Sequence, residues 1–317
     1  MTNYLITGGA GFIGSHLADA LLRDPTNRVT VIDDLSTGSA ANLAPHPNLN
    51  FITADILVMP DIERYIAESD VIYHLAAAVG VELVVHDPVQ TIKTNIDGSL
   101  RVLELAAQYK KRIFLASTSE VYGRSAKAKF SEEDDLLIGT PTHSRWAYAC
   151  SKLLDEFLLM AYAQKQELPG TVVRFFNTVG PRQTGRFGMV LPRFVAAALA
   201  EEPLQVYGSG GQTRCFCHVA DVVRALVGLL DKPESIGGIY NIGSSESVTM
   251  LELAERVRAV LGSASKIELI PYEKAYAKGF DDMMHRSPDT SKLQELLGWK
   301  PEHTLDDIIS DIAASLS

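Results

Sequence analysis

Thr7-Gly8-Gly9-Ala10-Gly11-Phe12-Ile13-Gly14-Ser15-His16-Leu17 follows directly on the β-branched run Asn3-Tyr-Leu-Ile-Thr7 and leads into a stretch of helical period over 15–22. The spacing of Gly8, Gly11 and Gly14 suits three backbone tasks: a tight turn, close approach of main chain to a pyrophosphate, and close packing of helix on strand. The helix N-terminus adds N–H groups and partial positive charge for phosphates. A glycine pattern alone is weak evidence. Here it lies between a strand and an amphipathic helix, and Asp33 closes the second strand, where a carboxylate hydrogen-bonds an adenosine ribose. Dinucleotide binding is the expectation, and Asp33 with Asp34 favours NAD over NADP, since a carboxylate repels a 2′-phosphate.

Working outward, further β-branched runs recur: Arg28-Val-Thr-Val-Ile32, Phe51-Ile-Thr53, Val71-Ile-Tyr-His74, Arg112-Ile-Phe-Leu-Ala116 and Thr171-Val-Val-Arg174. Helical period appears between them, notably over 91–109 and 146–166. Alternation of this kind predicts an α/β fold of Rossmann type, a doubly wound parallel sheet covered on both faces. After Phe176 come Gly/Pro/Gln-rich turns, a helix over 191–200 and one more βα unit near 215–230. The expected division is a NAD-binding domain of residues 1–173 plus 217–243, and a smaller, mainly helical substrate domain of residues 174–216 plus 244–317.

Composition narrows the classes. The 317 residues carry 29 basic and 39 acidic side chains, a net charge of −10, with no basic block. Nucleic acid is therefore not an expected partner, and an anionic substrate needs a few locally placed arginines. A hydrophobic content of 46% with 21% charged is globular. No run approaches the roughly 18 apolar residues of a membrane span, and no secretory leader is visible, so a cytoplasmic protein is expected. Cys150, Cys215 and Cys217 are too few for a disulfide framework or a zinc site, and no metal is expected; Cys215 and Cys217 read as small core residues.

Tyr148 and Lys152 lie four residues apart at the start of a long helix, on one face. An ammonium near a tyrosine hydroxyl favours phenolate, a general base near neutral pH. Thr118 ends the fifth strand, where its hydroxyl faces the same cofactor. Asp55 follows the third strand and either reaches the adenine or is a solvated turn residue. Ala76, Ala77 and Ala78 are small residues where cofactor passes or a helix starts.

Together with the glycine loop, His74-Leu-Ala-Ala, Ser117-Thr-Ser-Glu-Val-Tyr-Gly123, Tyr148-x-x-x-Lys152, Phe176-Asn-x-x-Gly-Pro-Arg182 and Leu297-Gly-Trp resemble the extended short-chain dehydrogenases that act on nucleotide-diphosphate sugars. The resemblance covers nearly the whole chain. It implies a tightly held NAD that takes hydride from C4 of the sugar, with Tyr148 as base, Lys152 touching the nicotinamide ribose and Thr118 orienting the hydroxyl. The implied cofactor contacts are Gly8, Gly11, Phe12, Ile13, Gly14, Asp33, Asp55, Ile56, Leu75, Ala76 and Ala77, with Tyr148 and Lys152.

Glu120, Arg145 and Arg286 match residues of the UDP-glucuronate decarboxylases. The segments Arg145-Trp-Ala-Tyr-Ala-Cys-Ser-Lys152 and Tyr276-x-x-Gly-Phe-Asp-Asp282 also resemble UDP-apiose/xylose synthase. A 4-keto group is β to a C6 carboxylate and permits loss of carbon dioxide; an arginine there stabilises the enolate. Against this, Ala78-Val-Gly-Val-Glu-Leu-Val-Val85 looks more like the loop of UDP-sugar 4-epimerases. Decarboxylation leads, 4-epimerisation is the alternative, and a 4,6-dehydratase, lacking its usual aspartate at Ser119, or a non-catalytic NAD sensor follows. For substrate, Arg214 matches the family's pyrophosphate arginine. Ser119, Arg145, Asn177, Arg182, Arg193 and Arg286 complete the set, and uridine is implied by the resemblance alone. Apolar residues beyond one face of the helices over 91–109 and 146–166 imply a homodimer through a four-helix bundle.

Overall fold

The computed structural model describes residues 1–79, 87–143, 145–185, 189–271 and 283–316. Three parts of the sequence reading lie outside it: most of the 78–85 loop, the 276–282 segment and the Arg145 side chain.

Seven parallel strands form the central sheet: β1 (Asn3–Thr7), β2 (Arg28–Asp33), β3 (Leu49–Thr53), β4 (Val71–His74), β5 (Arg112–Thr118), β6 (Gly170–Phe175) and β11 (Ile239–Ile242), in the order β11-β6-β5-β4-β1-β2-β3. The chain runs outward from β1 to β3, then crosses back to β4 and out the other way. The β1/β4 boundary is thus the switch point, and ligands bind at the carboxyl ends of the strands there. Strand β4 is buried at all four positions, as a strand covered on both faces must be.

Helices α1 (Phe12–Leu22), α6 (Val219–Leu230) and α8 (Ser291–Leu297) cover one face, packing Leu17, Leu21, Val222, Leu226 and Leu293 on Tyr73 and Phe114. Helices α2 (Ile62–Glu68), α3 (Pro88–Gln108) and α4 (Arg145–Gln166) cover the other with Ile66, Val102, Leu103, Ala106 and Leu159. A separate core joins α5 (Val190–Leu199), α7 (Met250–Leu261) and α9 (Leu305–Leu316) through Leu191, Phe194, Leu253, Val257, Ile308 and Ile309. Helix α7 starts with a reciprocal capping box between Thr249 and Glu252 and stops at Gly262, whose φ of 62° an L side chain rarely adopts.

The βα unit expected near 215–230 differs in one respect. Its strand, β10 (Cys217–His218), pairs not with the central sheet but with the short β7 (Thr178–Val179). The seventh place in the sheet is taken by β11, which pairs with β6. Cys215 and Cys217 are buried free thiols.

Candidate active site

At Gly8 and Gly14 the glycine loop is shaped by contacts that leave no room for a side chain. Gly8 has φ +73°, and a Cβ there would stand 2.7 Å from Ala76 N. At Gly14 it would stand 2.5 Å from Gly8 O, so α1 lies directly on the loop. At Gly11 it would meet only Gly8 O, at 3.1 Å. Gly11 is the N-cap of α1 and gives it no side-chain cap, so the first-turn amides are left to a ligand. Asp33 is buried, its Oδ2 accepting from Ala10 N at 2.9 Å and its Oδ1 from Leu35 N at 2.8 Å. Burial raises its pKa, with backbone hydrogen bonds opposing. Each oxygen keeps a lone pair for a hydroxyl donor. A cradle that a Cβ would fill, uncapped amides and a buried carboxylate at the end of β2 fit a dinucleotide such as NAD.

Beyond β1, Leu75 N donates to Thr7 O at 3.1 Å and Ala78 N to Asn95 Oδ1 at 2.7 Å, which fixes the post-β4 segment. Asn95, buried on α3, also donates to Ser151 Oγ on α4 at 3.1 Å. Ile56 is buried beside α3, and Arg101 holds its carbonyl at 3.0 Å. Asp55 is exposed and accepts from Leu57 N at 2.8 Å, closing its own turn.

Thr118 and Tyr148 are brought together by β5 and α4, so that the Thr118 hydroxyl acts to lower the pKa of the phenol. Thr118 Oγ1 also accepts from Glu120 N at 3.2 Å, starting the turn that carries Glu120. Arg286 Nη1 reaches Glu120 Oε1 at 2.9 Å, and its Nη2 donates to Asn177 Oδ1. Asn177 in turn donates to Cys215 O at 2.8 Å, beside Arg214 on β9 (Thr213–Cys215). Arg214 is buried, donating at 2.8 Å to Met283 O. Burial, and then the Glu120 charge, push Tyr148 above the ordinary tyrosine range; Thr118 and Arg286 pull it back. Lys152, the ammonium expected to favour the phenolate, has its Nζ paired with Asp155 Oδ2 at 2.7 Å.

Beneath these residues lies a buried network. Arg174 grips Glu156 with a two-pronged fork, Nε to Oε1 at 3.0 Å and Nη2 to Oε2 at 2.7 Å, and donates to Tyr122 OH at 2.9 Å. Tyr122 OH donates to Asn241 Oδ1 at 2.8 Å, and Asn241 Nδ2 holds Phe130 O at 2.9 Å and Asp289 O at 3.1 Å. The Glu120 turn and the segment that bears Arg286 are thereby tied to one scaffold.

Two arginines assigned to substrate lie apart from this cluster. Arg182 pairs with Asp19 of α1 at 2.7 Å, and Arg193 packs on Tyr207 and donates to Gln205 O at 3.2 Å. Ser119 is buried behind Thr118. Sequence reasoning missed Asn95, Asp155, Glu156 and Arg174. A clue was available for the first three, polar residues at helical positions that otherwise face the core; Arg174 stands in strand β6.

A family model described as GDP-mannose 4,6 dehydratase matches residues 5–312. A UDP-N-acetyl-alpha-D-glucosaminuronate decarboxylase of Bacillus cytotoxicus is 42% identical over 299 residues, 94% of this chain and 92% of that protein. UDP-glucuronic acid decarboxylase 6 of Arabidopsis thaliana is 38% identical over 94% of this chain and 84% of its own length. Among solved structures, a UDP-glucuronic acid 4-epimerase from Bacillus cereus, in complex with UDP-glucuronic acid and NAD, superposes with a TM-score of 0.89 at 29% identity, covering 99% of this chain and 98% of that one. With its switch-point glycine cradle and its Thr118–Tyr148 pair, the chain belongs to the GDP-mannose 4,6-dehydratase-like family of extended short-chain dehydrogenases.

Proposed function

We propose that the protein is a decarboxylase of UDP-sugars that carry a carboxylate at C6, UDP-glucuronate or its 2-acetamido counterpart, acting through a 4-keto intermediate. The observation that carries this reading is the Arg286–Glu120 pair at 2.9 Å, set beside Tyr148. Residues 1–173 plus 217–243 hold NAD, and 174–216 plus 244–317 hold the nucleotide sugar. NAD, cradled by Gly8, Gly11 and Gly14 with Asp33 on a ribose, supplies the oxidising capacity at C4. Tyr148 takes the C4 hydroxyl proton and Thr118 orients that hydroxyl. When the C5–C6 bond breaks, carbon dioxide leaves and its electron pair passes to the C4 oxygen; Arg286 stabilises that oxyanion, and Glu120 positions the donor that returns a proton to C5. Arg214 faces the pyrophosphate. The names of two relatives, both decarboxylases of UDP-uronates, support the same choice.

A second reading, 4-epimerisation, draws on the 78–85 loop and on the solved epimerase. Proton NMR of the protein with UDP-glucuronate, UDP-N-acetylglucosaminuronate and UDP-glucose separates the two. A pentose product or its 4-keto precursor is expected, and Tyr148→Phe abolishes it; a galacto-configured product with C6 intact sinks decarboxylation. We also infer a homodimer: Val89, Ile92 and Leu100 on α3 and Leu154 and Phe157 on α4 are exposed apolar residues on two helices packed together. The cytoplasmic location expected from the sequence belongs to this reading; no described helix is long and apolar enough to cross a membrane.

A further inference from the structure

Lys152 is 2% exposed and Asp155 is 0% exposed, with Nζ and Oδ2 separated by 2.7 Å. A buried ammonium is costly unless a counter-charge meets it. The neighbouring carboxylates are committed elsewhere: Glu156 to the Arg174 fork, Glu120 to Arg286. From β4, His74 faces the lysine as a neutral ring, its pKa pushed down to about 3 by burial and then by the Lys152 charge. Its ring is held on both sides: Thr7 Oγ1, which accepts from Ala76 N, lies 2.7 Å from His74 Nδ1, and Ser99 Oγ lies 3.2 Å from Nε2. Burial raises the Asp155 pKa, with Lys152 and then Ser99, on α3, opposing; its Oδ1 has no hydrogen-bond partner of normal geometry among the described residues. The Asp155 charge also acts on the phenol two turns earlier on the helix, opposing ionisation of Tyr148.

We propose that Asp155 is a positioning residue of this site: the buried counter-ion that keeps Lys152 a fixed ammonium, so that the field at Tyr148 is that of the Lys152–Asp155 pair and not of lysine alone. This rests on the roles given above to Tyr148 and Lys152. Thr7, His74 and Ser99 form the backing that aims the carboxylate, and the pair makes turnover depend on a group that never meets substrate.

Asp155→Asn keeps the shape and removes the charge. Lys152 then gives up its proton at lower pH, and Tyr148 is freed of the opposing carboxylate, so both limbs of the kcat/KM profile move to lower pH. The expected displacement is about one pH unit or more, with activity at alkaline pH falling roughly tenfold relative to neutral pH. Asp155→Glu, which retains the charge, returns the alkaline limb. In the unaltered protein labelled with ¹³C at the lysine ε-carbons, the resonance absent from Lys152→Met is that of an ammonium through neutral pH. An Asp155→Asn profile that is uniformly scaled but unmoved overturns the proposal. So does a neutral Lys152 amine in the unaltered protein, a result that holds even if the variant does not fold. Tyr148→Phe is measured alongside: turnover that survives it means the site reading has failed, whereas lost turnover with unmoved Asp155→Asn limbs rejects Asp155 alone.

Discussion

Glu120 and Arg286 act on Tyr148 with opposite signs, Glu120 raising its pKa and Arg286 lowering it. If Tyr148 is the base, Glu120→Gln moves the acidic limb of kcat/KM to lower pH and Arg286→Met moves it up, each by about half to one unit. A pH series on the two variants reads this directly, and shifts of the same sign would remove Tyr148 from the role. His74 sets a stability window. Its folded pKa of about 3 lies below the ordinary histidine value of 6.5, so folding favours the neutral ring. That contribution is whole above pH 6.5 and is lost as pH falls toward 3, with a slope of about 1.4 kcal/mol per pH unit. Urea denaturation from pH 7 to 4.5 should show a shallower acid loss for His74→Gln than for the parent protein. Tyr148 and Lys152 could be singled out in the sequence because their spacing is local, and Thr118 because it ends the fifth strand. The pairing of Lys152 with Asp155 was not legible, because nothing local distinguishes Asp155 from a solvated helix charge until the burial of that face is known.

At the level of elements, the loop between β1 and α1 separates folding from ligand approach. Gly8→Ala forces a Cβ into backbone at 2.7 Å and into a positive φ, which costs about 1–3 kcal/mol and splays β1 from the post-β4 segment. Gly11 has φ −74° and ψ −178°, a conformation open to alanine. Gly11→Ala, whose methyl has only Gly8 O to displace, from 3.1 Å, is therefore expected to lose less stability than Gly8→Ala while losing NAD affinity at least tenfold by calorimetry, because the methyl stands where phosphate approaches. Equal losses of stability in both variants would mean that Gly11 only serves the turn. The first six strands were readable from β-branched runs set between helical stretches. β10 was not, since its two residues carry the same pattern as a sheet strand and only pairing with β7 decides where it goes.

For the whole molecule, the proposed dimer would use the exposed faces of α3 and α4, where Val89 and Phe157 are 64% and 65% exposed. Phe157→Asp is expected to halve the mass seen by light scattering while leaving helix content unchanged. A parent protein that is already monomeric rejects the dimer. What the sequence could convey only through resemblance is the meeting of Glu120 with Arg286, 166 residues apart, because no local pattern marks two charges that the fold alone brings together. The two walls of the crevice are built differently. The cofactor side rests on main chain against main chain, Gly8 on Ala76, whereas the facing side hangs on side-chain pairs, Arg286 with Glu120 and Asn177. One wall can change only by remaking the backbone; the other can be redrawn one substitution at a time. New chemistry in this scaffold is thus accessible from the Arg286 side while the redox half stays fixed, so a selection for altered substrate should accumulate its mutations there and leave residues 7–14 untouched.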